Sequence, residues 1–551
     1  MDEIAARLWE GYLQLSPTTA TVYGDSRFDH RLDDPGPEGR AAVTALFTGA
    51  AAEARAVPDA ELGLEDRITR DVIGLIADLY VEGDALGIHE LSAVNQIEGP
   101  QTLLAQIAVF QEAGTPEGLE AWLERLRAYG PFMDTQIQIM REGIASGRTS
   151  ARIVAERTIR QMEATLATPL GEAVVPALSR VADEAARERV REVVRDVVYP
   201  ADQRYLDVLR DEYLPVTREQ PGLASAPNGA ELYRYAIRAW TTLDISPQDV
   251  HQVGLDELAA IDAERREIAR AEGFGDDVLA YRQSLEADPA NQAASPDELV
   301  ARATEDISRA AAVAPQVFGR LPRAACEVRA VEAFKEKDAP FAYYFPPTLD
   351  GSRPGIYYVN TYDLPSRTYS KLASTTYHEA VPGHHFQISL EMEDPSLNVF
   401  RRLGARRVGG AYVEGWGLYS ERLADELGLY RNPGERLGML DAQAWRASRL
   451  IVDSGLHGLG WSRQQSIDWL RETGLSMTDS VIETDRYISW PGQALCYMLG
   501  LREIRRLRRE LEARDGAAFD LAGFHDEVLG HGSLPLATLT RELPSWVKPA
   551  G

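Results

Sequence analysis

Cysteine is almost missing from this chain of 551 residues, which holds two, Cys326 and Cys496. Two thiols build no disulfide framework, and neither has a Cys or His neighbour at metal-ligand spacing, so buried thiols in a reducing compartment are expected. Long apolar runs are missing as well. No stretch approaches the twenty or so consecutive apolar residues of a membrane span. The opening MDEIAARLWEGYLQLS is acidic and amphipathic, without the basic start, apolar run and small-residue cleavage site of a secretory signal, and a cytoplasmic location is the expectation. Positive charge is in deficit: 58 Lys and Arg stand against 85 Asp and Glu, giving a net charge of −27 and a pI near 4.9. Such a surface argues against nucleic acid or an anionic membrane as partner. Fixed-period repeats and low-complexity linkers are absent too, which removes solenoids and loosely tethered domains from consideration.

What the chain does have, from residue 1 to about 320, is one amphipathic helical pattern after another. RITRDVIGLIADLYVEG (67–83), QTLLAQIAVFQEAG (101–114) and DELAAIDAERREIARAEG (256–273) each place apolar residues at intervals of three and four,. Ser246-Pro247-Gln248-Asp249 and Ser295-Pro296-Asp297-Glu298 put a capping Ser before a Pro at the first helical position, with a carboxylate at the third. Between 325 and 362 the pattern changes. ACEVRAVE, FAYYFPP and PGIYYVNTY carry Val, Ile, Tyr and Phe at strand density,. The expected fold is mainly α: a helical lobe over 1–320 and a catalytic lobe over 321–551, integrated in one body, with a small antiparallel sheet just before a motif helix starting near Ser366. IYYVNT (356–361) is the candidate edge strand for an extended substrate.

The motif is Tyr377-His378-Glu379-Ala380-Val381-Pro382-Gly383-His384-His385, which gathers three of the nine histidines into eight residues. Imidazoles with an adjacent carboxylate suit zinc, with the Glu placed to take a proton from a metal-activated water. The helical motif His-Glu-x-x-His would need its second His at 382, where this chain has Pro,. On an unbroken helix His384 would lie about 240° round from His378, and His385 roughly 10 Å further along the axis. Pro382 breaks the helix and Gly383 frees the backbone. The pair therefore predicts a two-residue bulge that swings His384, or its competitor His385, back toward His378. VGGAYVEGWGLYSERLADEL (408–427) then offers Glu414 and Glu421, seven apart on one helical face,. Glu414, in an aromatic run, is the candidate third ligand of an open zinc site, and Glu421 is a supporting or solvated group.

Further along, Asp453 and His457 are four apart. The carboxylate could orient an imidazole that binds an oxyanion. In DRYISWPGQALCYMLG (485–500), Arg486 is placed to clamp a substrate carboxylate, and Tyr487 or Tyr497 to donate to the oxyanion,.

The runs YHEAVPGHHFQ, AYVEGWGLYSE, DSGLHGLGWS, DRYISWPGQALCYMLG and FHDEVLGHGSLPLATL, with LSPTTATVYGDSRFDHRLDD near the start, span nearly the whole chain. In that order they resemble the bacterial "domain of unknown function 885" family. The resemblance implies a mainly helical, zinc-peptidase-like protein, with His378, His384 and Glu414 as ligands of one zinc per chain and Glu379 as base. The expected activity is zinc-dependent hydrolysis of peptide or amide bonds in short substrates. The alternatives are a non-catalytic helical protein that binds a peptide or metabolite, and a metallohydrolase of a non-peptide amide or ester.

Overall fold

A computed structural model describes residues 1–169, 181, 183–332, 336, 340–348, 351 and 353–549. Helices dominate, with one small sheet, as the sequence pattern requires. The chain divides into two compact units. The first comprises Met1–Tyr235, Gly455–Ser466 and Val481–Pro491, and the second Ala236–Ser454, Ile467–Ser480 and Gly492–Gly551. The division near residue 320 expected from the change of pattern is therefore not where compactness changes. Helices before that point already belong to the second unit, and two later segments belong to the first.

The first unit is built on the helix Pro116–Ser146, whose residues Trp122, Leu126, Tyr129, Met133 and Met140 are buried at helical spacing. Thr115 caps its start by accepting from the Gly118 N–H, and Gly147, at φ 73°, ends it in the left-handed region that glycine enters freely,. QTLLAQIAVFQEAG is α-helical only over Leu103–Ala108, after a 3-10 turn at Pro100–Thr102. The Gln111 side chain instead accepts from the buried guanidinium of Arg125. That guanidinium also takes the carbonyls of Phe28 and Arg31, so the unit's buried cation is held by acceptors from a distant segment,.

In the second unit both Ser-Pro starts form as expected: Ser246 caps Pro247–Ala271 and Ser295 caps Pro296–Val313, each accepting the N–H of its third helical residue. The sheet is mixed rather than antiparallel. Strands β1 (Cys326–Ala330), β2 (Ala342–Phe345) and β3 (Gly355–Val359) lie in the order β1-β3-β2, with β1 parallel and β2 antiparallel to β3. β3 is thus the central strand, and the expectation that residues 356–361 form a free edge is corrected. Its side chains explain the placement, since Ile356, Tyr357 and Val359 are all buried, the pattern of a strand covered on both faces. The sheet also fixes the helices behind it. Tyr357 pairs with Thr376 at 3.3 Å, and the Tyr344 hydroxyl on β2 meets His385 Nδ1 at 2.9 Å.

Three histidines are buried in the neutral form, and burial pushes His385 and His457 down to about 4 and His525 to about 3. Each ring is bonded at both nitrogens to neutral groups. Because the unfolded rings protonate near pH 6.5, the unfolded state binds more protons at lower pH. The stability they provide is complete above pH 6.5 and lost as pH falls toward 4. At on the order of 3 kcal/mol per ring, the loss is comparable with the whole stability of a typical protein. The expected result is a steep fall in Tm between pH 6.5 and 4.5, with net proton uptake on unfolding at pH 5.5. A flat Tm over that range would contradict the burial of neutral rings.

Candidate metal centre

The motif helix, Tyr369–Glu379, carries His378 on its last turn with 3% of its surface exposed. It stops at Glu379, and a second helix begins at His384 and runs to Glu393. The expected bulge within one helix is thus a complete break between two. The residues between fold back onto the helix end so tightly that a Cβ on Gly383 would stand 1.8 Å from the His378 carbonyl oxygen. Only glycine fits there. The Val381–Pro382 peptide is cis, and the Pro382 carbonyl accepts from Trp416 Nε1 at 2.8 Å and from Ser420 Oγ at 3.2 Å. Those two donors lie on the helix Gly410–Glu426, so the segment that bears Glu414 also pins the turn between the histidines.

The result brings the His378 and His384 rings to 4.7 Å between centroids, nearly perpendicular at 83°. Glu414 Oε2 stands 3.4 Å from His378 Nε2 and 3.5 Å from His384 Nε2. That oxygen is buried and has no hydrogen-bond partner, and neither has His384 Nδ1. One donor atom each from His378, Glu379 and His384 also falls within 4.8 Å of the others. Glu414 is the nearer carboxylate to the two ring nitrogens. Donors sharing a tetrahedral ion at about 2.1 Å stand roughly 3.4 Å apart, so the two imidazoles and Glu414 fit a zinc ion. Behind them, Glu421, 1% exposed, accepts from His378 Nδ1 at 2.9 Å. This leaves Nε2 as the donor atom and is the carboxylate support usual for a metal-binding histidine.

The charges follow from this packing. Burial works against a charged His378, but Glu414 and Glu421 outweigh it and push the ring up to about 9. Burial likewise opposes ionisation of Glu414, and the two imidazoles overcome it, holding its carboxyl below the usual range. Glu379 goes the other way: burial raises it against the pull of His384 and His378. No hydrogen bond or ion pair engages its carboxylate among the described residues, so it stands uncommitted beside the two rings.

His385 does not join them. Its Nδ1 meets Tyr344 and its Nε2 donates to the Ala324 carbonyl at 3.1 Å, so both nitrogens are engaged away from the pair. Gly417 makes room for the ring that does: a Cβ there would lie 2.6 Å from His378 Cε1.

Tyr497 is brought to the centre, stacked on the His378 ring at 6.4 Å and 23°. It arrives because Gly415 and Gly500 let the helices Gly410–Glu426 and Cys496–Asp515 touch backbone to backbone, with a Cβ on Gly415 only 2.4 Å from the Gly500 carbonyl carbon. Three further expected participants, His457, Arg486 and Tyr487, have partners of their own. His457 belongs to the first unit, where Nδ1 accepts from the Leu223 N–H at 3.1 Å and Nε2 donates to the Tyr487 carbonyl at 3.0 Å. The expected pairing with Asp453 is not made, since the ring's two nitrogens are both taken by backbone, while Asp453 accepts from the Gly492 N–H. Arg486 and Tyr487 also belong to the first unit, and both bond Glu483.

Sequence reasoning missed Arg446. It lies on the helix Pro433–Gly458 between buried Ala444, Ala447 and Leu450, with its guanidinium 5.9 Å from the Tyr497 ring centre. Burial lowers its pKa, and Glu421 and Glu414 counter that. An arginine inside an apolar helical run was the signal available.

No helix among the described residues is long and apolar enough to cross a membrane. Comparison with curated proteins gives no match. Two solved structures are similar over almost their full lengths. A crystal structure described as a "putative lipoprotein" from Colwellia psychrerythraea shares 29% identity at a TM-score of 0.91, over 99% of this chain and 98% of that one. Another, from Shewanella oneidensis and described as of unknown function, shares 19% identity at a TM-score of 0.73, over 98% of each chain; its likeness is one of fold. The model of the family described as "Bacterial protein of unknown function (DUF885)" matches residues 17–543, nearly the whole chain. Every residue of the candidate centre and most of both units lie within that match, and the chain belongs to the DUF885 family.

Proposed function

We propose that the chain is a zinc-dependent hydrolase of peptide or other amide bonds in short substrates. The observation that carries this reading is the buried Glu414 Oε2, without a hydrogen-bond partner, 3.4 and 3.5 Å from the Nε2 atoms of His378 and His384. Those three residues would hold the ion, with Glu421 fixing the His378 tautomer,. A bound zinc supplies Lewis acidity, which polarises a carbonyl and acidifies water. Glu379 takes the proton of the attacking water and returns it to the leaving amine, a role suited to a carboxylate whose pKa burial has raised,. Tyr497, stacked on His378, would donate to the carbonyl oxygen as it gains charge,.

The test is metal content and turnover together. The purified chain is expected to hold one zinc. Chelation should abolish cleavage of short peptides or acylated amines, and zinc should restore it. A chain without stoichiometric metal, or one that cleaves none of these, refutes the reading. The cytoplasmic location belongs to the same proposal and is supported by Cys326 and Cys496, neither of them in a disulfide. The two solved neighbours carry the word lipoprotein, and recovery of the native chain in a membrane or exported fraction would overturn a cytoplasmic assignment.

A further inference from the structure

Arg446 has an unusual charge environment for a chain so rich in acid. Among the described residues no carboxylate lies within ion-pair distance of it. Its one hydrogen bond is to the Ala442 carbonyl at 3.3 Å, and its Nε is buried without an acceptor. Three carboxylates act on it or feel it through space, namely Glu421, Glu414 and Glu379. The first two are committed to the imidazoles. A second guanidinium, that of Arg449, sits three residues along the same helix. Both stack on the same two rings: Trp445 at 4.7 Å from Arg446 and 4.3 Å from Arg449, and Tyr497 at 5.9 and 4.5 Å. Like charges held that close repel, and burying one costs free energy unless an anion answers it. The fork of donors on a guanidinium matches a carboxylate in two parallel bonds.

We propose that Arg446 binds a free carboxylate of the substrate, so that the chain acts on short peptides or N-acyl amino acids whose ionised end lies close to the scissile amide. Distance supports this. Arg446 stacks beside Tyr497, and Tyr497 stacks on His378, so the guanidinium is two ring separations from the metal-site histidine. One residue of extended chain spans about 3.5 Å. An anion one or two residues beyond the cleaved bond, with the carboxylate and the guanidinium donors included, spans a gap of that order. The competing role is charge balance, in which Arg446 does no more than offset Glu379, Glu414 and Glu421. The two roles differ in what they ask of the ligand: only the first distinguishes an acid from its amide.

The inference rests on the hydrolase reading for its site, and its test is kept separate by measuring binding. The Glu379→Gln chain, loaded with zinc, is titrated calorimetrically with N-benzoylglycylphenylalanine and with its C-terminal amide. The acid is expected to bind at least about tenfold more tightly, the lower end for a charge-assisted pair. Adding Arg446→Gln should bring the acid-to-amide ratio to within about twofold, and Arg446→Lys should restore part of it. Zinc content measured on each variant reports that the centre has folded. Equal binding of acid and amide, no binding of either, or a preference that survives Arg446→Gln because the carboxylate sits on the metal would each overturn the assignment. Absence of zinc or of turnover in the parent chain would count against the hydrolase reading instead.

Discussion

Replacing Glu379 by Gln is expected to lower kcat for short substrates by about 10³-fold, on the order of 4 kcal/mol of barrier, while zinc stays at one per chain. The amide keeps the size of the carboxylate and removes the proton acceptor. Retention of metal is expected because the donors with suitable spacing are His378, His384 and Glu414, the last 3.4 and 3.5 Å from the two ring nitrogens. Burial raises the Glu379 carboxyl above its ordinary range. A base must be ionised to act, so kcat/KM in the parent chain should fall as pH drops through that raised value, and the residual activity of the variant should lack this acid limb. Turnover within tenfold of the parent would remove Glu379 from the base's role, whatever the metal content.

Glu414→Ala is expected to show the opposite signature, because it deletes a proposed donor and leaves the proposed base in place. The chain should lose zinc on dialysis, and the rise in Tm expected of the parent with zinc should be absent, since a ligand stabilises only as far as it binds the folded state. At a free zinc concentration 100 times Kd that stabilisation is about 2.7 kcal/mol. The variant also removes one of the two carboxylates that hold the His378 pKa up and leaves Glu421, so its ring should protonate less readily than in the parent. Full zinc retention by Glu414→Ala, with an unchanged shift in Tm, would show that the ion sits elsewhere. Glu379, whose donor atom also lies within 4.8 Å of both rings, would then be the first alternative ligand. Measured side by side, the two variants separate chemistry from coordination.

Much of the fold and of the candidate centre is legible in the sequence. Period-three-and-four apolar spacing gave the helical body, and Ser-Pro starts placed the beginnings of Pro247–Ala271 and Pro296–Val313. The clustering of Val, Ile and Tyr located all three strands. The histidine pair, its adjacent Glu379 and the distant Glu414 were visible as residue types at meaningful spacing, and Pro382-Gly383 marked the interruption between the rings. These are properties of a short stretch of chain, set by backbone sterics and by which face of a helix or strand can be buried.

Other features came from residues that meet only after folding. β3 became central because β1 joined it in parallel from one side and β2 antiparallel from the other, a choice that strand composition does not encode. His384 rather than His385 turned to His378 because Tyr344 and the Ala324 carbonyl claim the latter. His457 was occupied by Leu223 and Tyr487 backbone, and Glu421 found His378 across 43 residues of chain. Arg446 acquired meaning when the glycine contact between residues 415 and 500 carried Tyr497 to the rings. The sequence by itself determined which elements form and which side chains are equipped for metal chemistry, because those depend on neighbours a few residues away. Which of them share one centre was decided by tertiary structure, because a buried nitrogen or oxygen takes whichever partner packing brings within about 3 Å.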